Sequence, residues 1–374
     1  MSHQKHPRIP RPKLDHYART DVALVGTTCA VMDNLIEKWA TELNPGHRTL
    51  TVIGDHAEPK PGTLFQVGTK RFHTPADQWN DYDERLQSTQ FDLALVNGNH
   101  YPADRQIVFV DPAKAGTLER RREQLTDVLA IVLCPGVESL PEWLETKFSS
   151  SAKKPPVCGL EEATTVVLSL LQTLLRTRVP ALKTLLLTGG KSLRMGQRKA
   201  DLVYRPDGRT EAERLADITG RLLPDTVHIS VADAGRATVG GLPRIVDRFP
   251  GMGPAGAIAT AFLTDPDAAW LVLACDLPLL EITDLNTLIG ARNPGKYATA
   301  YRRASQPFPE PLVAIYEPKS YQRLLRLLAL GYACPRKLLI NSEIKSLEAE
   351  DERPFTNANT PEERAAVLQL LASA

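Results

Sequence analysis

The sequence predicts an α/β protein built as two successive three-layer α/β/α units, each with a mostly parallel sheet between helices. Three observations carry that expectation. Short apolar runs such as Val22–Val25, Ile107–Val110, Leu185–Leu187 and Trp270–Ala274 read as buried strands. They alternate with stretches of helical spacing, Val31–Leu43, Leu160–Arg178 and Thr210–Leu222, and such alternation argues for crossover connections and parallel pairing. The chain of 374 residues exceeds one ordinary domain, and Val179-Pro180 ends a helix immediately before a new strand. The expected organisation is a basic Pro/His-rich tail over 1–18, a first unit over 19–178 and a second over 179–374.

Composition narrows the function classes. Hydrophobic content of 43% and charged content of 24% suit a soluble globular chain. A formal net charge of +1 argues against a dedicated nucleic-acid binder, which would carry a broad basic excess. No apolar run reaches the ~20 residues that span a bilayer, and the N-terminus has no apolar h-region. The expectation is a cytoplasmic protein with neither nucleic acid nor membrane as partner. The five cysteines (Cys29, Cys134, Cys158, Cys275, Cys334) are scattered without C-x-x-C spacing, which reads as reduced, mostly core residues and no zinc site.

In the first unit, Val22–Val25 is followed by the turn Gly26-Thr27-Thr28 and then by the Val31–Leu43 helix. Further strand-like runs are Thr49–Ile53, Phe91–Val96 and Val128–Leu133. Strand, glycine turn and helix suggest a phosphate loop. Counted from Gly26, however, the positions that need Gly, Lys and Ser/Thr hold Val31, Met32 and Asp33. Residues 149–156 are polar and Pro-ended, a flexible-loop composition.

The second unit is organised around Leu185–Lys199 (LLLTGGKSLRMGQRK): a strand, a glycine pair, then a basic loop. Glycines let backbone amides approach an anion and cations neutralise it. Downstream come strand-like Thr226–Val231 and Ile245-Val246, then Asp247-Arg248-Phe249-Pro250-Gly251-Met252-Gly253-Pro254-Ala255-Gly256, whose end starts a helix. Trp270–Ala274 ends in Cys275-Asp276-Leu277-Pro278, an acid at the carboxyl end of a central strand, where open α/β sheets bind ligands. Tyr297–Tyr301 and Pro311–Tyr316 read as two more strands and Ser320–Leu330 as a helix. Arg336-Lys337 reads as a loop pair after Pro335, facing an anion or simply solvated. In Asn357-Ala358-Asn359-Thr360-Pro361-Glu362-Glu363, Thr360 caps a helix that has Pro361 at its first position and Glu363 three places after the cap.

These strings, in this order, resemble the MobA-like nucleotidyltransferases, specifically the molybdenum cofactor guanylyltransferases. Leu187–Ala200 is similar to their L-A-G-G-x-S-x-R-M-G-x-D-K-A, with Thr188 for alanine and Arg198 for the acid. Asp247–Ile258 resembles D-x-x-P-G-x-G-P-L-x-G-I with one residue fewer, Asp276-Leu277-Pro278 resembles D-M-P, and 357–363 resembles N-x-N-T-P-E-D. The first unit resembles the companion MobB-like GTP-binding domain, with Asn97 where that family's strand ends in an acid. It reads as a degenerate member that does not hydrolyse nucleotide, with a generic α/β domain unrelated to that family as the alternative.

The resemblance implies a Rossmann-like domain that transfers GMP from GTP to molybdopterin and releases pyrophosphate, with Mg²⁺ as cofactor. It assigns catalysis to Arg194, Lys199 and Asp276, and nucleotide binding to Leu187, Thr188, Gly189, Gly190, Lys199, Asp247, Gly253 and Asp276. Asp276 would be the metal ligand, and Asn357 and Asn359 would meet the pterin. For Asp247 a turn-capping role stands beside guanine recognition, and for Asp276 a helix-capping role stands beside metal binding. The first unit would dock a molybdoenzyme or a cofactor-insertion protein, or deliver substrate. Cytidylyl transfer, a sugar-phosphate or polyol-phosphate nucleotidyltransferase, and a non-catalytic cofactor carrier are the competing readings.

Overall fold

The computed structural model describes residues 19–374 except 45, 55–62, 68–69, 75–85, 150–153, 189–198, 234, 236–238, 359 and 373–374. The described residues form two compact units, 19–179 and 180–374. Each is an α/β unit with helices on both faces of its sheet.

The N-terminal unit runs β1 (Thr20–Val25), α1 (Cys29–Leu43), β2 (Thr49–Val52), β3 (Thr63–Val67), β4 (Lys70–Thr74), β5 (Leu93–Asn97), β6 (Arg105–Val110), α2 (Ala115–Arg120), β7 (Val128–Leu133), α3 (Glu142–Ser149), β8 (Val157–Gly159) and α4 (Ala163–Thr177). Its main sheet has the order β2-β5-β1-β6-β7-β8 and is parallel throughout. Alternate side chains of β1 feed opposite faces, as a period of two requires. Val22 and Leu24 pack with Met32, Ile36 and Trp39 of α1 and Leu171 of α4. Ala23 and Val25 pack with Leu118 and Leu144 of α2 and α3.

At the P-loop-like turn, Met32 is fully buried in the core. The Asn97 amide donates to Asp33 Oδ1 at 2.7 Å. The position expected to hold a P-loop hydroxyl and the position expected to hold the strand-end acid are therefore bonded to each other. The Thr27 hydroxyl donates to Asp111 at 2.6 Å.

The C-terminal unit runs β9 (Leu182–Leu187), α5 (Glu211–Leu222), β10 (Val227–Val231), β11 (Arg244–Val246), α6 (Gly253–Thr264), β12 (Ala269–Ala274), α7 (Ile282–Gly290), β13 (Ala298–Arg302), β14 (Pro309–Tyr316), α8 (Ser320–Ala329), α9 (Pro335–Ile340), β15 (Lys345–Glu348) and α10 (Pro361–Ala372). The sheet order is β11-β10-β9-β12-β14-β13-β15. The first four strands are mutually parallel, while β14 runs antiparallel to both β12 and β13. Leu271 and Leu273 of β12 pack with α5 and α7, and Trp270 and Val272 pack with α6, α8 and α9.

Most strands and long helices fall where the sequence predicts them, with ends shifted by one to three residues. Other features are set by the tertiary structure. Arg336 and Lys337 lie in helix α9, not in a loop; Pro335 occupies its first turn, where a missing N–H costs nothing, and Leu338 and Leu339 are buried one turn later. Cys29 is half-exposed at the start of α1 and Cys334 is exposed, whereas Cys134, Cys158 and Cys275 are buried. Strands β8 and β15, the hairpin β3–β4 and helices α2, α3 and α7 have no counterpart in the sequence reading; β8 has only three residues, too short to show an apolar period.

Candidate active site

Strand register gathers the site. Leu187 at the end of β9 pairs with Ser230 of β10 on one side and Ala274 of β12 on the other. Val231 pairs with Val246, and the Asp247 amide donates to the Val231 carbonyl at 2.9 Å. The carboxyl ends of β9, β10, β11 and β12 thus share one edge. Thr188, Asp247 and Asp276 each follow one of these ends within two residues.

Thr188 is buried and its hydroxyl donates to the Ser230 carbonyl at 2.7 Å. Threonine in place of the usual alanine therefore ties β9 to β10 just before the glycine pair. Gly189, Gly190 and Arg194 lie outside the described residues, as does Arg198. Lys199 opens the short turn Lys199–Asp201, with only its backbone described.

Asp247 is half-buried. Its Oδ1 accepts from the Phe249 amide at 2.8 Å and lies 3.1 Å from the Thr260 hydroxyl, so this oxygen fixes the turn into the Pro/Gly loop. That loop needs its glycines. Gly253 has φ +58°, and a Cβ on Gly256 would stand 2.6 Å from the Phe249 carbonyl oxygen. Helix α6 starts at Gly253 with no side-chain cap from Met252, which leaves first-turn amides as donors at an exposed end.

Asp276 is half-buried two residues beyond β12. Its carbonyl accepts from the Ala358 amide at 3.0 Å, which brings the 357–363 segment to the strand-tip acid; Asn357 is exposed there, and Asn359 lies outside the described residues. Thr360 and Glu363 exchange amide-to-side-chain bonds at 3.2 Å, so α10 starts with the reciprocal cap expected from the sequence.

Three residues that sequence reasoning missed hold the segment after Asp276. Arg214 donates to the carbonyls of Leu280 (2.7 Å) and Leu277 (3.4 Å) and forms a forked pair with Glu211 at 2.6 and 2.9 Å. Arg205 donates to the Pro278 carbonyl at 3.0 Å. Burial raises the Glu211 carboxyl above its ordinary range, against the opposing bond to Arg214. The sequence signal was an E-x-x-R spacing at the start of a helix, common enough to pass as surface charge. Tyr204 is also buried nearby; burial first, then the charge of Glu211, pushes its phenol up to about 12, with Arg364 opposing and Asp276 adding.

Among the described residues no group of three or more His, Cys, Asp or Glu could hold a metal by itself. Asp276 offers a single hard carboxylate. Mg²⁺ suits such a donor, because it keeps several waters and takes its remaining ligands from phosphate oxygens.

A mostly parallel sheet whose carboxyl edge joins a glycine-flanked strand end, an uncapped helix start and a strand-tip acid is the layout of a nucleotide-handling α/β domain. Residues 184–345 match the family of the MobA-like NTP transferase domain. The "Probable molybdenum cofactor guanylyltransferase" of Carboxydothermus hydrogenoformans is 31% identical over 196 residues, covering 50% of this chain and 94% of that protein. The "Molybdenum cofactor biosynthesis bifunctional protein" of Synechocystis is 32% identical over 180 residues, 48% of this chain. That match spans about half, 51%, of the Synechocystis protein's length. The solved structure of molybdopterin-guanine dinucleotide biosynthesis protein A from Archaeoglobus fulgidus aligns with a TM-score of 0.43 and 20% identity, covering 51% of this chain and all of that one. The chain belongs to the MobA-like NTP transferases, and its C-terminal unit carries their nucleotidyltransferase domain. No helix among the described residues is long and apolar enough to cross a membrane.

Proposed function

We propose that the C-terminal unit transfers GMP from GTP to molybdopterin and releases pyrophosphate. One observation carries the reading: the 3.0 Å bond from the Ala358 amide to the Asp276 carbonyl. It joins the segment that the resemblance assigns to the pterin to the acid that it assigns to the metal. The name of the Carboxydothermus hydrogenoformans relative, a probable molybdenum cofactor guanylyltransferase, supports guanylyl transfer to that cofactor.

The acceptor phosphate is anionic at neutral pH, so no general base is needed, and positioning and charge neutralisation carry the chemistry. The amides of Gly189 and Gly190, the cations Arg194 and Lys199, and the first turn of α6 at Gly253 would hold the triphosphate, with Leu187 and Thr188 setting the direction of the loop. Asp247 would accept from the guanine N1–H and N2–H₂ through its second oxygen. Asp276 would hold Mg²⁺, which supplies charge neutralisation between two approaching anions. Asn357 and Asn359 would face the pterin. The N-terminal unit would act as a degenerate P-loop domain, its Asp33–Asn97 bond standing in place of nucleotide contacts, and would dock a molybdoenzyme or a cofactor-insertion protein.

The test is pyrophosphate release with molybdopterin, Mg²⁺ and either GTP or CTP. GTP turnover is expected, together with its loss in Asp276→Ala at an unchanged melting curve. Turnover of CTP instead moves the assignment to cytidylyl transfer. GTP binding without pyrophosphate release makes the protein a carrier, and full activity of the Asp276 variant removes the metal role.

A further inference from the structure

Tyr204 plays no part in the site as read so far. It lies just beyond the turn Lys199–Asp201 and is 6% exposed. Its ring packs with Leu202, Ala358 and Val367, and the Arg364 guanidinium stands 5.7 Å from the ring centroid. Its hydroxyl has no hydrogen-bond partner among the described residues. Buried hydroxyls are almost always paired, and an unpaired one is a standing cost to the fold.

Two observations bring the Tyr204 side chain close to the strand-tip acid. Ala358, a member of the same apolar cluster, donates its amide to the Asp276 carbonyl. The Asp276 carboxylate is also within electrostatic reach of the phenol. We propose that the Tyr204 hydroxyl donates a hydrogen bond to a phosphate oxygen of the substrate seated at Asp276. A phenol suits that position. It is a neutral donor, so it can bind an anionic oxygen without competing, as a lysine would, for the carboxylate that receives the cation. The inference rests on the transferase reading of the same site.

The experiment compares wild type with Tyr204→Phe, which keeps the ring and removes only the hydroxyl. Melting is followed with and without GTP and Mg²⁺, and steady-state pyrophosphate release is measured with GTP and molybdopterin. The free variant should melt no lower than wild type, because an unpaired group is gone. Its kcat/KM should nonetheless fall about 10- to 100-fold, the range expected for a bond to a charged acceptor. A smaller GTP-induced shift in melting temperature identifies the nucleotide as the phosphate source. An unchanged shift with a loss confined to the molybdopterin KM or kcat identifies the acceptor. A lower melting point with unchanged kcat/KM assigns the hydroxyl to structure and overturns the proposal, as does turnover equal to wild type. Failure of the wild type itself to bind GTP or release pyrophosphate overturns the transferase reading instead.

Discussion

At the scale of single residues, side chains at the edge of the C-terminal sheet are tied into the fold by specific bonds. Asp247 spends Oδ1 on the turn that starts the Pro/Gly loop, and Thr188 spends its hydroxyl on the neighbouring strand. His228 lies on the adjacent strand β10. It is half-buried, its Nδ1–H donates to the Thr226 carbonyl at 2.8 Å, and its ring meets Trp270 edge-on at 5.4 Å. Burial lowers its pKa below the ordinary 6.5; the Thr226 bond opposes this, Lys183 adds to it and Asp265 opposes it. A histidine with a depressed folded pKa binds its proton more readily when unfolded. Stability is therefore retained above the unfolded pKa and falls as pH drops below it, until the folded pKa is passed. Urea unfolding from about pH 7 to about pH 5 should show a larger loss for wild type than for His228→Gln.

At the scale of elements, the segment after β12 is held by helix α5. Glu211 and Arg214 sit in the first turn of α5, behind the Thr210–Glu213 capping box. Their forked pair is almost dry, with side-chain exposures of 1% and 6%, and Arg214 also anchors the carbonyls of Leu277 and Leu280. Arg214→Met should cost roughly 3–5 kcal/mol, because it strands a buried carboxylate. Adding Glu211→Gln should recover most of that loss, which a double-mutant cycle in urea would measure. Transfer activity should recover less than stability does, since the Asp276 turn would still lack its carbonyl anchors.

At the scale of the molecule, the two units have separate cores on separate sheets. A fragment covering residues 180–374 should melt cooperatively and release pyrophosphate at the turnover number of the 374-residue chain. Calorimetry together with the pyrophosphate assay checks both halves of that expectation. A fragment that folds but turns over more slowly would give the N-terminal unit a part in delivering substrate.

By itself the sequence determined what is local. Apolar runs marked the buried strands of both sheets, since a strand buried on both faces admits little else; turn and capping residues marked the starts of α1, α6 and α10, and the order of four short strings carried the likeness to a transferase family. It also placed Asp276 at a strand tip, because the run Trp270–Ala274 is continuous and its end is abrupt. Tertiary structure decided what depends on chain segments far apart in sequence. It set the strand order that aligns Leu187, Val231, Val246 and Ala274, the bond from Ala358 to Asp276, and the pairing of Asp33 with Asn97. It also buried Glu211 with Arg214 and left the Tyr204 hydroxyl without a hydrogen-bond partner among the described residues. The reason is physical: a residue's neighbours along the chain set its backbone preference and the face it presents, while hydrogen-bond partners and desolvation are set by whichever segment the topology folds against it.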